Sequence, residues 1–343
     1  MFPALLTIAI PTYNRNAILL ANIRPLLEQL AARTGAGVRL LVIDNASPQS
    51  VEETLAPLRH EFAGVEMQVQ RNAANIGANA NILRCFELCQ TPFLWILGDD
   101  DTPLPDALDT VLRSLEAHPE CVFFNFSSEM LMRAQSKQAR GLNEFLATMD
   151  SLWATLFISS SIYRAGDFKE ALRVGYRFEY SHAPQLVTLL SHLAASKEKP
   201  LCRFCPEQIV HWHQPDDDQQ WPIVNYALGI ATILELPLPP RGRRRLAGLI
   251  VESLNLELLV LQLLLGAVRS PGGARAGGEA ALFLFDQMCA RLFYFDQNPG
   301  RKIRLLGYRL LLRAPRQSYA LLTRLKGRSR AAEHKLQDLF ERI

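Results

Sequence analysis

The segment FLWILGDDD, residues 93–101, joins five consecutive apolar residues to a glycine and three aspartates. A short apolar run bounded by turn residues is typical of a buried strand, here Phe93–Leu97. Asp99, Asp100 and Asp101 therefore follow the carboxyl end of that strand, at the edge where open α/β sheets bind ligands.

Strands and helices alternate on both sides of this segment, which predicts a doubly wound α/β fold with a mostly parallel sheet. The predicted strands are Leu5–Ile10, ended by Pro11, then Val38–Ile43, Val65–Gln70, Phe93–Leu97 and Cys121–Phe126. The predicted helices are Ala17–Ala32, a helix capped by Ser47 that runs to Arg59, Ile76–Cys89 and Pro105–Ala117.

The regular alternation fades after residue 126. Residues 1–213 are predicted to form the first domain, in which Phe157–Tyr163 is a strand and Ala183–Ala195 a helix. Residues 214–343 are predicted to form a C-terminal helical extension that contains a stiff basic linker, Pro237–Arg245.

The composition excludes several classes of protein. Hydrophobic residues make up 49% of the 343 residues and charged residues 21%, so the chain can bury a core and is not disordered. The net charge of +3 is unlike that of a general nucleic-acid binder. The absence of GxGxxG and GxxxxGK[ST] excludes dinucleotide oxidoreductases and P-loop enzymes.

The location predicted from the sequence is cytoplasmic. No apolar stretch is long and free enough of charge to predict a membrane span, and the amino terminus lacks the pattern of a signal peptide. Six cysteines in a chain of this length do not form a disulfide scaffold, which favours reduced thiols.

Three adjacent carboxylates repel one another and raise each other's pKa unless a cation lies among them. Mg²⁺ and Mn²⁺ take oxygen ligands and often bind substrate phosphates at the same time. The aspartates of 98–101 therefore predict a site for a divalent cation and a diphosphate. The alternative is an acidic turn in which Asp101 or Thr102 caps the following helix.

Four segments resemble, in order and spacing, the motifs of family 2 glycosyltransferases. They are AIPTYNR at 9–15, IDNAS at 43–47, the segment from Arg71-Asn72 to Asn75-Ile76-Gly77, and GDDD at 98–101. The segments NIGANANI and FLWILGDDD are most similar to the O-antigen-type, abequosyltransferase-like subgroup. The resemblance implies a GT-A fold and an inverting transfer of a hexose or deoxyhexose from a nucleoside-diphosphate sugar to a glycan, in O-antigen or capsule synthesis.

The resemblance also implies which residues bind the nucleotide. Pro11 and Tyr13 would shape the loop against base and ribose, and Asp44 would accept a hydrogen bond from the base. The other residues implied on this side are Arg71, Asn75 and Gly77, the last allowing close backbone approach. The alternatives are strand-end packing for Tyr13, a turn cap for Asp44 and a simple turn glycine for Gly77.

On the diphosphate side, the resemblance implies that Asp99 and Asp101 hold Mg²⁺ or Mn²⁺, and that Asp100 contacts the ribose or the metal. His213 is a further candidate metal ligand, with His211 as its neighbour on the same late strand. A surface-loop histidine is the alternative for both.

The acceptor hydroxyl needs a base, and the family uses a carboxylate in the second half of the domain. Glu179, in RFEYSH at 177–182, is the preferred candidate and Asp167 the other carboxylate considered. His182 is the second choice, because histidine titrates near neutral pH. The usual Glu-Asp pair is absent here, since Tyr180 follows Glu179.

Ten lysines and arginines and no acidic residue lie between Arg301 and Arg330. Such a stretch is either a solvated helix face or an amphipathic surface for anionic lipid, peripheral to the cytoplasmic face of the inner membrane. Docking there would concentrate the enzyme with a polyprenyl-diphosphate-linked acceptor. A nucleic-acid patch is disfavoured, because aromatic residues are sparse. Leu246–Val268 is expected to pack on the catalytic domain or on a second subunit of a homo-oligomer.

Two other functions compete with the transferase. A catalytically silent protein that binds nucleotide sugars or acts as a scaffold would explain the missing Glu-Asp pair. A sugar-phosphate nucleotidyltransferase is disfavoured, because such enzymes carry a glycine-rich loop where this chain has Pro-Thr-Tyr-Asn.

Overall fold

The computed structural model describes residues 5–213, 223–294 and 299–326. The chain divides into two compact units. The first comprises Met1–Gln214 with Leu236–Gly242, and the second comprises Pro215–Glu235 with Arg243–Ile343.

An eight-stranded sheet forms the centre of the first unit, in the order β3-β2-β1-β4-β8-β6-β9-β7. Only β7 and β8 run against the other six strands, so the prediction of a mostly parallel sheet is confirmed. The strands are β1 (Leu6–Thr12), β2 (Val38–Asp44), β3 (Met67–Arg71), β4 (Phe93–Ile96), β6 (Cys121–Ser127), β7 (Lys137–Arg140), β8 (Ser161–Arg164) and β9 (Leu201–Gln208). Two short strands, β5 (Thr102–Pro103) and β10 (Val210–His211), pair separately.

The helices of the first unit follow the predicted alternation. They are α1 (Asn16–Ala32), α2 (Val51–Glu61), α3 (Ala78–Leu88), α4 (Ala107–Ala117), α5 (Gly141–Thr148), α6 (Leu152–Leu156), α7 (Leu172–Arg177) and α8 (Pro184–Ala195). In α1 the buried face is the predicted apolar stripe, because leucine and isoleucine recur there at helical spacing.

Strand β1 continues through Pro11, which the sequence had predicted as its end. The Ala9 carbonyl accepts from Leu97 on the β4 side, and the Thr12 carbonyl accepts from Asn45 on the β2 side. Pro11, two residues after Ala9, therefore faces the β4 side, where β4 has already ended. Its missing N–H thus removes no ladder hydrogen bond.

Helix α2 begins at Val51, and the prediction that Ser47 caps it is wrong. Ser50 is the cap, because its Oγ accepts from the Glu53 N–H at 3.2 Å in a Ser-x-x-Glu pattern. Ser47 is fully buried instead, and its Oγ accepts from the Asn14 N–H at 2.9 Å. Ser47 thereby joins the loop after β2 to the loop after β1.

The predicted strand Phe157–Tyr163 is shorter than expected. Ile158–Ser160 form a single 3-10 turn, and the strand starts at Ser161. This difference matters for the site, because the turn brings Ser159 to the end of β4.

The described part of the second unit is helical, as predicted. Its helices are α9 (Ile223–Ala231), α10 (Pro240–Ser253, whose first three residues belong to the first unit), α11 (Leu256–Val268), α12 (Gly273–Leu292), α13 (Pro299–Arg313) and α14 (Pro315–Lys326). The predicted linker Pro237–Arg245 is wrong in its second half, since α10 begins at Pro240, a residue favoured in the first turn of a helix. Among the described residues no single helix could span a membrane by length and composition, and only α10 with α11, bent by 67°, reaches that length together.

Candidate active site

The acidic triplet Asp99–Asp101 lies just beyond the carboxyl end of β4. Strands β1 and β2 run parallel to β4, so the loops that follow them lie at the same edge of the sheet. Asp99 and Asp101 are each only 5% exposed. Two carboxylates buried at a sheet edge are costly unless something compensates their charge.

Arg15 compensates two of the three charges. Its Nη1 is 2.7 Å from Asp99 Oδ1 and its Nη2 is 2.7 Å from Asp100 Oδ2. Thr12 donates a further hydrogen bond, from Oγ1 to Asp99 Oδ2 at 2.6 Å. Burial lowers the pKa of the Arg15 guanidinium, but the neighbouring carboxylates outweigh that effect and raise it overall. Arg15 is therefore the cation that the triplet holds.

Asp101 is held by different partners. Ser159 donates from Oγ to Asp101 Oδ2 at 2.5 Å, and the same Oγ accepts from the Gly98 N–H at 2.8 Å. The backbone N–H of His213 approaches Asp101 Oδ1 at 3.3 Å, because β10 pairs with β5 directly after the triplet. Asp101 therefore contacts the backbone of His213, which follows β10 and which the sequence had suggested as a metal ligand.

Burial makes the charged forms of Asp99 and Asp101 unfavourable. It raises the pKa of Asp99 to about 6, although Arg15 and Thr12 oppose the rise. It raises the pKa of Asp101 to about 7, although the hydrogen bond from Ser159 opposes the rise. The triplet therefore still gains from added positive charge at neutral pH.

In this arrangement the predicted ligands do not fit a divalent cation. Asp99 and Asp101 bind different partners, and the contact from His213 is made by its backbone rather than its imidazole. Within the described ranges, no group of three His, Cys, Asp or Glu side chains is arranged to hold an ion. His211 instead contacts Glu129, with Nδ1 and Oε1 2.8 Å apart. A metal would bind here only if Arg15 left Asp99 and Asp100.

Asp44, the predicted base contact, is buried and bound by the protein itself. Its Oδ1 accepts from the Ser47 N–H at 2.8 Å, and Arg71 forms an ion pair with Oδ2. Arg71 also donates from Nη2 to the Ser47 carbonyl at 2.8 Å. The alternative reading of Asp44 as a turn residue thus has support in these contacts, and its role toward a nucleotide stays a prediction.

Four asparagine side chains connect the loop after β2 with the loop before α3. Asn45 accepts from Asn72 and from the Ile76 N–H, both at 3.0 Å, and donates to Asn75 Oδ1 at 2.8 Å. Asn72 also donates to Asn81 at 2.9 Å. Asn75 is therefore part of the wall of the site, and its contact with a nucleotide stays a prediction.

Gly77 caps α3 with φ of 86°, a backbone conformation that favours glycine. An added Cβ would meet no atom within 4 Å. The glycine is therefore required by the turn and not by close approach of another part of this chain. Pro11 lies within β1, and the side chain of Tyr13 is 41% exposed at the rim, where a base or ribose could pack on it.

The two candidate carboxylate bases lie at different edges. Asp167 forms an ion pair with Arg164 at 2.5 Å, and Arg164 is paired with Phe93, the first residue of β4. Asp167 is therefore near the edge opposite the triplet, which contradicts its candidacy as the base.

Glu179 begins a single 3-10 turn, Glu179–Ser181, just before α8, and it is exposed. Gln185, in the first turn of α8, donates to the Leu156 carbonyl at 3.0 Å. Leu156 lies three residues before Ser159, which contacts the triplet. The start of α8 thus lies toward the triplet edge. His182 ends the same turn with φ of 59°. Both base assignments stay predictions.

Sequence reasoning missed three residues that touch the triplet: Thr12, Arg15 and Ser159. The first two lie inside the quoted AIPTYNR segment, and their proximity follows from the pairing of β1 with β4. Ser159 had no comparable signal, because its segment reads as a plain strand.

Solved structures with a similar fold were found. The crystal structure of S. aureus TarS 1-349 in complex with UDP-GlcNAc is 14% identical to this chain, covers 92% of it and 88% of its own length, and has a TM-score of 0.57. The crystal structure of S. aureus TarS is 13% identical, with coverage of 92% and 54% and a TM-score of 0.58. The GT-A-type fold predicted from the motifs is confirmed.

Curated relatives match a shorter region. An uncharacterized glycosyltransferase of Haemophilus influenzae is 27% identical over 119 residues, which are 35% of this chain and 37% of that protein. An uncharacterized protein of Mycobacterium tuberculosis is 28% identical over 112 residues, 33% of each chain. The match thus spans about a third of the length of these relatives. Over residues 7–173, which include all four motifs, the chain matches the model of glycosyl transferase family 2, as predicted.

Proposed function

We propose that the chain is an inverting glycosyltransferase that moves a hexose or deoxyhexose from a nucleoside-diphosphate sugar to a glycan hydroxyl. The observation that supports it is the convergence of the acidic triplet, Arg15 and the IDNAS loop at one edge of the sheet. A nucleoside diphosphate leaves with concentrated negative charge, and the guanidinium of Arg15, although paired with Asp99 and Asp100, is a cationic hydrogen-bond donor at this edge. The acceptor, in O-antigen or capsule synthesis, would carry the attacking hydroxyl.

Donor binding tests this proposal. UDP-, GDP-, dTDP- and CDP-sugars are added to the full chain with and without Mn²⁺, and thermal unfolding and sugar transfer are followed. A donor at a hundred times its Kd should stabilise the fold by about 2.7 kcal/mol, a rise of about 5–10 °C in Tm. Binding without transfer or hydrolysis across many acceptors would favour the silent sugar-nucleotide-binding protein. Absence of binding by all donors would contradict both.

Glu179 is proposed as the base that takes the proton of the acceptor hydroxyl, with His182 as the second choice. Glu179→Gln should lower kcat by about 10²–10⁴ and leave donor binding unchanged, because a base acts on the acceptor and not on the nucleotide. Asp167→Asn is the matched control and should retain activity, since Asp167 lies near the opposite edge. Full activity of Glu179→Gln would contradict the assignment and direct the same test to His182→Gln.

Mg²⁺ or Mn²⁺ as a cofactor stays a prediction, because Arg15 occupies Asp99 and Asp100 and Ser159 binds Asp101. Homo-oligomerisation, the polyprenyl-linked acceptor and the cytoplasmic location are also proposals.

A further inference from the structure

Helix α13 has two apolar faces, and only one is buried. Leu312 is completely buried on the inner side. On the opposite side, Ile303, Leu306 and Leu310 are 72%, 57% and 56% exposed. Their spacing of three and four residues aligns them in one stripe, which we call the outer stripe. A single exposed leucine is ordinary, but an aligned set on one face marks a surface that contacts something else.

Positive charge borders the outer stripe. Successive residues of a helix turn by about 100°, so Lys302 and Arg313 lie beside Leu306 along one border of the stripe. No acidic residue occurs in α13. Arg313 also lines a concave surface with Arg275 and Arg316. Apolar residues flanked by cations match a surface of anionic head groups above acyl chains.

Two arginines of α13 are already engaged within the second unit. Arg304 Nη2 is 2.9 Å from Glu257 Oε1, and Arg309 Nη2 is 2.7 Å from Asp286 Oδ2. These two arginines therefore hold the helix in place. Lys302 and Arg313 are therefore the cleaner probes of an external anionic surface.

We propose that α13 lies flat on an anionic lipid bilayer, with the outer stripe inserted between head groups and Lys302 and Arg313 in contact with their phosphates. A second copy of the chain fits the same face poorly, because two outer stripes packed together would bring their cationic borders close to each other. The inference does not rest on the proposed glycosyl transfer, since it concerns binding alone.

Co-sedimentation of the full chain with vesicles tests it. Vesicles of phosphatidylglycerol and phosphatidylethanolamine should bind the protein, and vesicles of phosphatidylcholine should bind it at least about tenfold more weakly, because each cation near an anionic surface adds affinity. The variant Ile303→Ser/Leu306→Ser/Leu310→Ser and the variant Lys302→Glu/Arg313→Glu should each lose at least about tenfold in affinity for the anionic vesicles.

Matched controls lie in the first unit. Met132→Ser removes an equally exposed apolar side chain, 61% exposed, and Arg173→Glu reverses an exposed charge. Both should bind vesicles like the unaltered chain. Because all substituted side chains are exposed, far-ultraviolet circular dichroism and Tm should be unchanged. Equal vesicle binding by all variants would overturn the proposal. It would also be overturned if the unaltered chain formed a dimer and did not bind vesicles, and the variants of the outer stripe lost that dimer.

Discussion

Replacing Asp101 with Asn should reduce sugar transfer at least about a hundredfold, while the Tm of the protein stays the same or rises. Loss of activity is expected because the triplet holds the positive charge that faces the leaving diphosphate. Asp101 acts on Arg15 through its charge and not through a direct bond, so a neutral side chain at this position weakens the attraction that holds the guanidinium in place. An error of about 1 Å in such a group costs about 10² in rate.

The unchanged or higher Tm follows from the electrostatics of burial. Burial raises the pKa of Asp101 to about 7, which means that the folded protein disfavours its charge. An amide removes that charge, and its carbonyl can still accept the hydrogen bond from Ser159. A lost activity combined with a retained or raised stability is the signature of a group kept for function.

Asp106→Asn is the control for this variant. It makes the same chemical change five residues later, on an exposed side chain, and should alter neither activity nor Tm. Transfer is measured with the donor identified by thermal shift, and Tm is measured without ligand. An Asp101→Asn enzyme as active as the unaltered chain would remove the triplet from the proposed chemistry.

The sheet could be predicted because β1, β2, β4 and β6 are short apolar runs that end in polar turns, while β3 alternates apolar and polar residues. β4 and its aspartates are the clearest case, and the order of the motifs reflects the order of the strand ends. Pro11 was predicted to end the first strand, but it lies inside β1. Whether a proline can lie inside a strand depends on which adjacent strand its nitrogen faces. The pairing of the strands decides this, and the local sequence does not show it.

The partners of the triplet could not be predicted in the same way. Arg15 and Asp99 are 84 residues apart, and their contact exists only because β1 and β4 are adjacent in the sheet. Ser159 depends on one 3-10 turn within a segment that reads as continuous strand. The sequence favoured Glu179 over Asp167 but could not exclude Asp167, and it is the antiparallel direction of β8 that places Asp167 near the far edge.

The asparagine network is a third feature that could not be predicted from the sequence. Asn45 is buried and makes hydrogen bonds to both sides of the neighbouring loop, which helps fix the loop near the nucleotide side. The sequence marks this residue only as part of a motif. Asparagine is equally common in exposed turns, so its burial cannot be predicted before the two loops are placed together.

Arg15→Gln should convert the triplet into a tighter Mn²⁺ site. Arg15 occupies Asp99 and Asp100, so a divalent cation must displace it from both carboxylates. Glutamine lacks the charge, and Mn²⁺ no longer competes with an arginine. We expect the Kd for Mn²⁺, measured by isothermal titration calorimetry, to fall at least about tenfold, a difference of about 1.4 kcal/mol.

Without a metal, the same variant should be less stable by about 2 kcal/mol, because Asp99 and Asp100 lose the cation that pairs with them. Mn²⁺ should then raise the Tm of Arg15→Gln more than that of the unaltered chain. Protons compete with Mn²⁺ for the carboxylates, because burial raises the pKa of Asp99 to about 6 and that of Asp101 to about 7. Mn²⁺ affinity should therefore weaken as the pH falls from 8 to 6.

Arg24→Gln serves as the control, because Arg24 lies on α1, which begins just after Arg15, and also pairs with a carboxylate, Glu61, but in an exposed position. It should change the Tm little and leave the Mn²⁺ affinity unaltered, since exposed ion pairs contribute little to stability. If Arg15→Gln bound Mn²⁺ no better than the unaltered chain, Arg15 would not compete for the metal. The prediction that Arg15 blocks a divalent-cation site at the triplet would then be wrong.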